Sequence, residues 1–204
     1  MDPETDAEKS LEELVKELPL ELHAAARAGI EVLLSHYAPH GGETEAPDLT
    51  PDAEVTLREI NADTVRAICK LSDTLTPPKR YMVAPNAVSI AQAYFEPKAW
   101  IRAIYADETP VGFVMLYDDP GDPPDRKPDY FLWRFMIAGP HQGKGYGRRA
   151  IELLVEYVKT RPGAKELEVS CGQGPGSPEA FYRRLGFKHT GKMFDGEVGL
   201  SLAL

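Results

Sequence analysis

Phe135-Met136-Ile137-Ala138-Gly139-Pro140-His141-Gln142-Gly143-Lys144-Gly145-Tyr146-Gly147-Arg148 passes from an apolar run, through a glycine-rich turn, into a helical repeat. The run Tyr130 to Ile137 has strand length, and Gly145 to Lys159 sets Ala150, Ile151, Leu154, Val155 and Val158 on one helical face. A strand that feeds a helix through glycine makes an anion site. The first N–H groups of the helix lack internal partners and lie at the positive end of its dipole. Glycine at 143, 145 and 147 removes the Cβ atoms that would hold a phosphate away. Spacing excludes two familiar phosphate loops. A Walker loop encloses four residues between its glycines and continues Gly-Lys-Ser/Thr, whereas Gly139 and Gly143 enclose three and Gly145 follows Lys144. A dinucleotide fingerprint is Gly-x-Gly-x-x-Gly early in a Rossmann unit, whereas Gly143, Gly145 and Gly147 are evenly spaced and late in the chain.

Upstream of this loop, Trp100 to Tyr105 and Val111 to Tyr117 read as strands joined by the turn Asp107-Glu108-Thr109-Pro110, and Asp118 to Asp129 reads as a polar loop. Val55 to Ile60 alternates as a strand. Asn61 or Asp63 can cap a helix running to about Ser72, and Asn86 to Phe95 reads as another short helix. Downstream, Glu166 to Cys171 is a strand and Ser177 to Leu185 a helix with Ser177 as cap and Pro178 at its first position. Two terminal strands follow around Asp195-Gly196. At the other end, Leu11 to Leu18 and Leu22 to Tyr37 show helical spacing broken at Pro19, and His40 to Glu54 reads as a linker. The expected division is an acidic helical extension and linker over 1–54 and a second domain over 55–204. The helices of the extension can cover the domain or a second copy of the chain, as in a homodimer.

The net charge of -9 is uneven: residues 1 to 54 hold 14 acidic and 3 basic side chains, which leaves the remainder nearly neutral. The acidity therefore concerns solubility and says little of a substrate, and no basic stripe suggests nucleic acid. No apolar run is long enough to cross a membrane, and Met1-Asp2-Pro3-Glu4 opens no secretion signal. A cytoplasmic location is expected. Cys69 and Cys171 have no metal-ligand spacing and are read as free thiols, so no metal is expected.

Gln142-x-x-Gly145-x-Gly147 matches the Gln/Arg-x-x-Gly-x-Gly/Ala pattern of the GNAT superfamily of N-acetyltransferases, in which this loop holds the pyrophosphate of coenzyme A. Ala180-Phe181-Tyr182-Arg183-Arg184-Leu185-Gly186-Phe187 resembles the late helix-and-strand signature of that superfamily, and the order of elements agrees over residues 55 to 204. Leu132-Trp133-Arg134-Phe135-Met136-Ile137, with Gln142 to Gly147, is similar to bacterial spermidine/spermine (diamine) acetyltransferases. The resemblance implies an α/β (α+β) fold with a central, mainly antiparallel sheet flanked by helices. It implies acetyl-CoA as cosubstrate and direct acetyl transfer to a primary amine, first a polyamine or related small amine. A peptide or protein amine, an amine-bearing antibiotic, or an acyl-CoA-binding module with little turnover stand as alternatives.

The resemblance and the requirements of amine acetylation together nominate residues. Backbone N–H groups near Met136 and Ile137 would meet the thioester oxygen and pantetheine arm. Gln142, Gly143, Lys144, Gly145, Tyr146, Gly147 and Arg148 would hold the pyrophosphate, and Arg149 would face solvent. Tyr182 matches the tyrosine that faces the coenzyme sulfur as general acid, and a phenol of reference pKa about 10 is protonated at neutral pH. Seven residues before it, where many relatives carry asparagine, stands Pro175. Glu168, on the strand beside the one that corresponds to the family's splayed central strand, and Glu197, in the closing hairpin, are candidate bases, with Asp118, Asp119 and Glu96 as further carboxylates. Nothing in the sequence orients a base beside Cys171, so a thioester on it is not expected.

Overall fold

The computed structural model describes residues 49–50, 52–121 and 129–204, all within one compact unit, Asp48–Leu204. The helices expected between Leu11 and Tyr37, and most of the loop after Asp118, lie outside the described residues. The elements are β1 (Val55–Arg58), α1 (Val65–Leu71), α2 (Asn86–Phe95), β2 (Ala99–Ala106), β3 (Thr109–Asp119), β4 (Asp129–Ile137), α3 (Tyr146–Lys159), β5 (Glu166–Cys171), α4 (Glu179–Arg184), β6 (Lys188–Phe194) and β7 (Glu197–Ala203). The seven strands form one sheet in the order β1-β2-β3-β4-β5-β7-β6. Every neighbouring pair is antiparallel except β4 with β5.

Apolar alternation places a core on each face of this sheet. On β3, Val114 and Leu116 join α3 and the inner face of β5, while Phe113 and Met115 join α1. A strand buried on both faces reads as a continuous apolar run, as Val111 to Leu116 does but for one glycine. That glycine is required by close approach, because a Cβ on Gly112 would collide with the Met136 carbonyl oxygen. The helix α3 turns Tyr146, Ala150, Ile151, Leu154 and Val158 inward, and its outer face carries the pair Arg148–Glu152 at 2.8 Å. Full burial of Ile151 and Leu154 contributes roughly 2 kcal/mol each.

The core reaches back beyond the boundary expected at Val55. Leu49 and Ala53 are buried in it, the Tyr146 hydroxyl donates to the Thr50 carbonyl at 2.9 Å, and Arg149 Nη1 donates to the Ala53 carbonyl at 3.0 Å. Arg149 was expected to face solvent. Its guanidinium instead lies 5.1 Å from the Tyr146 ring centre and ties α3 to the chain entering β1, because a long side chain can lie along an aromatic face while its N–H groups reach a carbonyl.

Two irregularities position the site. Met115 pairs with Arg134 and Leu116 with Leu132, so Trp133 is an extra residue in β4, a β-bulge that re-aims the strand from Arg134 onward. The strands β4 and β5 pair only through Phe131 with Glu168 and Leu132 with Val169. Beyond Leu132 they part. Phe181 of α4 then stacks on Phe135, ring centres 6.0 Å apart, against the stretch of β4 that β5 has left.

Candidate active site

The glycine loop between β4 and α3 is an open cradle. A short 3-10 turn over Gly139–His141 follows β4, and Gly145 is the N-cap of α3 at φ +85°. Gly143 adopts φ +78°, and a Cβ added at either glycine would meet nothing within 4 Å. Left-handed backbone and empty space above it are what a phosphate needs to reach main-chain N–H groups. Gln142 is a strut of this loop: Nε2 donates to the Ile137 carbonyl at 2.8 Å, and Oε1 accepts from Lys79 Nζ. Gly139 is pinned at its start, its N–H donating to Thr74 Oγ1 at 2.8 Å.

From this cradle a cleft of about 490 Å³ runs along Phe135, Met136 and Ile137, bounded by Lys79, Arg148 and Arg184 and by Ser177, Pro178, Ala180 and Phe181. Three cationic side chains at its rim suit a polyanion. His141 also lines it, buried, with Nδ1 unpartnered; burial, and secondarily Lys144, push its imidazole below the ordinary value.

A smaller cleft of about 210 Å³ adjoins the first, sharing Met82, Val83, Phe135 and Pro178 with it. Its polar lining comes from Arg134 on β4, Ser170 on β5, Tyr182 on α4 and Glu197 on β7. Tyr182 is 4% exposed. Burial first, then Cys171 and Glu197, push its phenol well above the ordinary value, so it holds its proton throughout the neutral range. The Glu197 carboxylate accepts from Ser170 Oγ at 2.5 Å, which fixes its orientation. Arg134 Nη1 donates to the Trp133 carbonyl at 2.8 Å, and burial, partly opposed by Glu197, pushes the guanidinium below its ordinary value.

The structure brings Met136, Ile137, Gln142, Gly143, Gly145, Gly147 and Arg148 to one cleft, and Tyr182 and Glu197 to the other. Other expected residues lie elsewhere. The Tyr146 side chain is fully buried in the core, so only its backbone faces the loop, and Lys144 does not line the cleft. Glu168 is bound to Lys192 at 2.6 Å and lines neither cleft. Asp118 accepts from Tyr157 and Arg161, at 2.7 and 2.9 Å, and Asp119 from Lys98 at 2.7 Å. These are structural pairs; together with burial, the Asp118 bond pushes the Tyr157 phenol up to about 12. The Cys171 thiol is buried and pushed up by desolvation, the reverse of an activated nucleophile. Sequence reasoning missed Lys79, Arg184 and Arg134 as cleft residues. For Arg134 a signal was present: a lone charge inside the apolar run Phe131 to Ile137.

Residues 68–187, more than half of the chain, match the acetyltransferase (GNAT) family. No curated protein matches the chain. Among solved structures it is similar to an acetyltransferase from Thermus thermophilus, at 18% identity and TM-score 0.54, covering 74% of this chain and 97% of that one. It is similar to a GNAT family acetyltransferase from Elizabethkingia anophelis with acetyl-CoA bound, at 16% identity and TM-score 0.51, with 74% and 98% covered. The ribosomal-protein-S18-alanine N-acetyltransferase from Escherichia coli is a third, at 15% identity and TM-score 0.54, with 74% and 93% covered. At these identities the structural likenesses establish a shared fold. With the family match over α1 to Phe187 and the glycine cradle at the splay of β4 and β5, the chain belongs to the acetyltransferase (GNAT) family.

Proposed function

We propose that the chain transfers the acetyl group of acetyl-CoA directly to a small primary amine, with Tyr182 as general acid and Glu197 as general base. One observation carries the reading: a protonated buried phenol and an oriented carboxylate line a single small cleft that opens onto the glycine cradle.

The residues present fit acetyl-CoA. Gly143 and Gly145 leave a cradle that a Cβ would fill, helix N–H groups and Arg148 face it, and the cleft continues along the freed stretch of β4. When bound, acetyl-CoA supplies a thioester whose acetyl group passes to nitrogen and whose sulfur departs as thiolate. Backbone N–H groups near Met136 and Ile137 are suited to hold a carbonyl oxygen in that stretch. Glu197, held by Ser170, takes the proton that the amine loses as its N–C bond forms. Tyr182 gives its proton to the departing sulfur, and the raised phenol pKa keeps that proton available.

An acyl-CoA-binding module without turnover needs neither the acid nor the base. A polyamine, the acceptor the resemblance implied, would find one carboxylate, Glu197, among the described lining of the small cleft, and one guanidinium that repels it. The test is release of coenzyme A thiol from acetyl-CoA with polyamines, amino acids, lysine peptides and aminoglycosides offered separately. Saturable release with at least one amine is expected. Tight acetyl-CoA binding with no release from any of them would turn the reading to a binding module.

A further inference from the structure

Arg134 is the feature of the small cleft that amine acetylation by itself does not require. Removing protons from an amine and giving one to sulfur uses Glu197 and Tyr182; neither step calls for a guanidinium. Yet Arg134 stands in the same wall, just past the bulge at Trp133, where β5 has turned away.

Its charge is only partly compensated: the side chain is half-buried, and Glu197 acts on it across the cleft without a hydrogen bond. Nη1 is satisfied by the neighbouring Trp133 carbonyl, and the guanidinium carbon lies 5.4 Å from the Trp133 ring centre. Nε is enclosed and has no hydrogen-bond partner. Among the described residues Arg134 forms no salt bridge, and the one carboxylate in the lining, Glu197, is engaged by Ser170. Even partial removal of a cation from water is unfavourable without a paired anion, and a ligand can supply one. Arginine is the residue suited to that task, because its planar fork pairs with a carboxylate through two parallel hydrogen bonds.

We infer that the acceptor is an amine that also carries a carboxylate, an amino acid in its free form, with its carboxylate on Arg134 and its amino group toward Glu197. The inference rests on the acetyl transfer proposed above and names the substrate of that same site. Size agrees: about 210 Å³ is room for about seven waters at about 30 Å³ each, the space of one amino acid. A free amine end and a free carboxylate on one small molecule satisfy both charges of the cleft, whereas a polyamine satisfies one and opposes the other.

The experiment measures coenzyme A thiol release by the full-length protein with L-methionine and L-phenylalanine, each beside its methyl ester, and with spermidine. Esterification removes the carboxylate charge and leaves more of the amine unprotonated at neutral pH, so intrinsic reactivity favours the ester. The expected result is the opposite order, kcat/KM for the free acid at least about tenfold above that for its ester, because a site built for a polar group discriminates against an analogue lacking it. In Arg134→Gln the acid-to-ester ratio should fall toward one, chiefly through a higher KM for the acid, with Arg134→Lys between the two. A merely structural arginine would lower both substrates together and leave the ratio unchanged, which overturns the inference. So does native protein that treats acid and ester alike, a comparison needing no variant. Release with spermidine alone overturns it and leaves acetyl transfer standing. No release from any amine, with acetyl-CoA still bound, overturns both.

Discussion

Tyr182 and Glu197 lie in one cleft, and their different surroundings suit the different tasks proposed for them. The phenol is buried among Phe181, Phe187 and Cys171, so its anion is disfavoured, as the proposed role of proton donor requires. Tyr182→Phe should lower kcat by about 100-fold while leaving the Kd of acetyl-CoA unchanged; steady-state kinetics with calorimetry checks both, and a weakened Kd at normal kcat would remove the assigned role. The raised phenol pKa also fixes the sign of one pH effect: Tyr182 stays protonated on the alkaline side, so its ionisation brings no loss of rate up to about pH 10. His141 gives a second. Its imidazole is pushed below the reference value of 6.5 by burial, then by Lys144. In the window from 6.5 down to the folded value, the unfolded chain binds a proton that the folded chain does not. Its stabilising contribution is therefore whole above pH 6.5 and is lost as pH falls through that window. His141→Asn should flatten the fall in Tm between about pH 7 and pH 5; equal slopes for native and variant would show that other groups carry it.

At the scale of elements, the junction of β4 with α3 holds the cradle. Gly145 combines the N-cap of α3 with φ +85° and free space above its backbone. A side chain there fits sterically, so Gly145→Ala costs the fold only the strain of a left-handed conformation, about 1 kcal/mol. It costs the proposed phosphate cradle more, because the new Cβ stands where a phosphate would approach. Calorimetry should show acetyl-CoA binding weakened by at least about tenfold, with a Tm lowered by only a few degrees. Unchanged binding would mean that the pyrophosphate is held elsewhere. The bulge at Trp133 and the two-residue pairing of β4 with β5 act together at this same scale. The first turns Arg134 into the small cleft's wall, and the second leaves the gap into which both clefts open.

Across the whole molecule, the sheet binds segments distant in sequence into one unit. Residues just before β1 are part of it: Leu49 and Ala53 lie in the core, and Thr50 and Ala53 accept hydrogen bonds from Tyr146 and Arg149, both 96 residues away. A domain proposed to begin at Val55 would leave both donors unsatisfied. A chain beginning at Asp48 should therefore be more stable than one beginning at Val55 by about 2 to 4 kcal/mol, from two hydrogen bonds and the apolar cover of Leu49. Urea denaturation of the two checks this, and equal midpoints would assign the stretch to the linker.

What the sequence by itself determined is what neighbours along the chain determine. A strand running into a helix through Gly143, Gly145 and Gly147 must leave unpaired, uncovered N–H groups at the helix start, because helix geometry and missing Cβ atoms are local properties. Periodicity likewise marked α2 over Asn86–Phe95 and β5 over Glu166–Cys171, to the residue. The small cleft was of another kind. Arg134, Ser170, Tyr182 and Glu197 come from four elements, and Glu168 was as plausible a base as Glu197 until the sheet was seen. Only the tertiary structure separates them, because β7 inserts between β5 and β6 and its register sets Glu197 beside Ser170. A slip of one residue in such a pairing turns every side chain to the opposite face. Pairing and register are fixed by the packing of the whole sheet, so which charges meet in the cleft is a property of the fold and not of any one stretch of the chain.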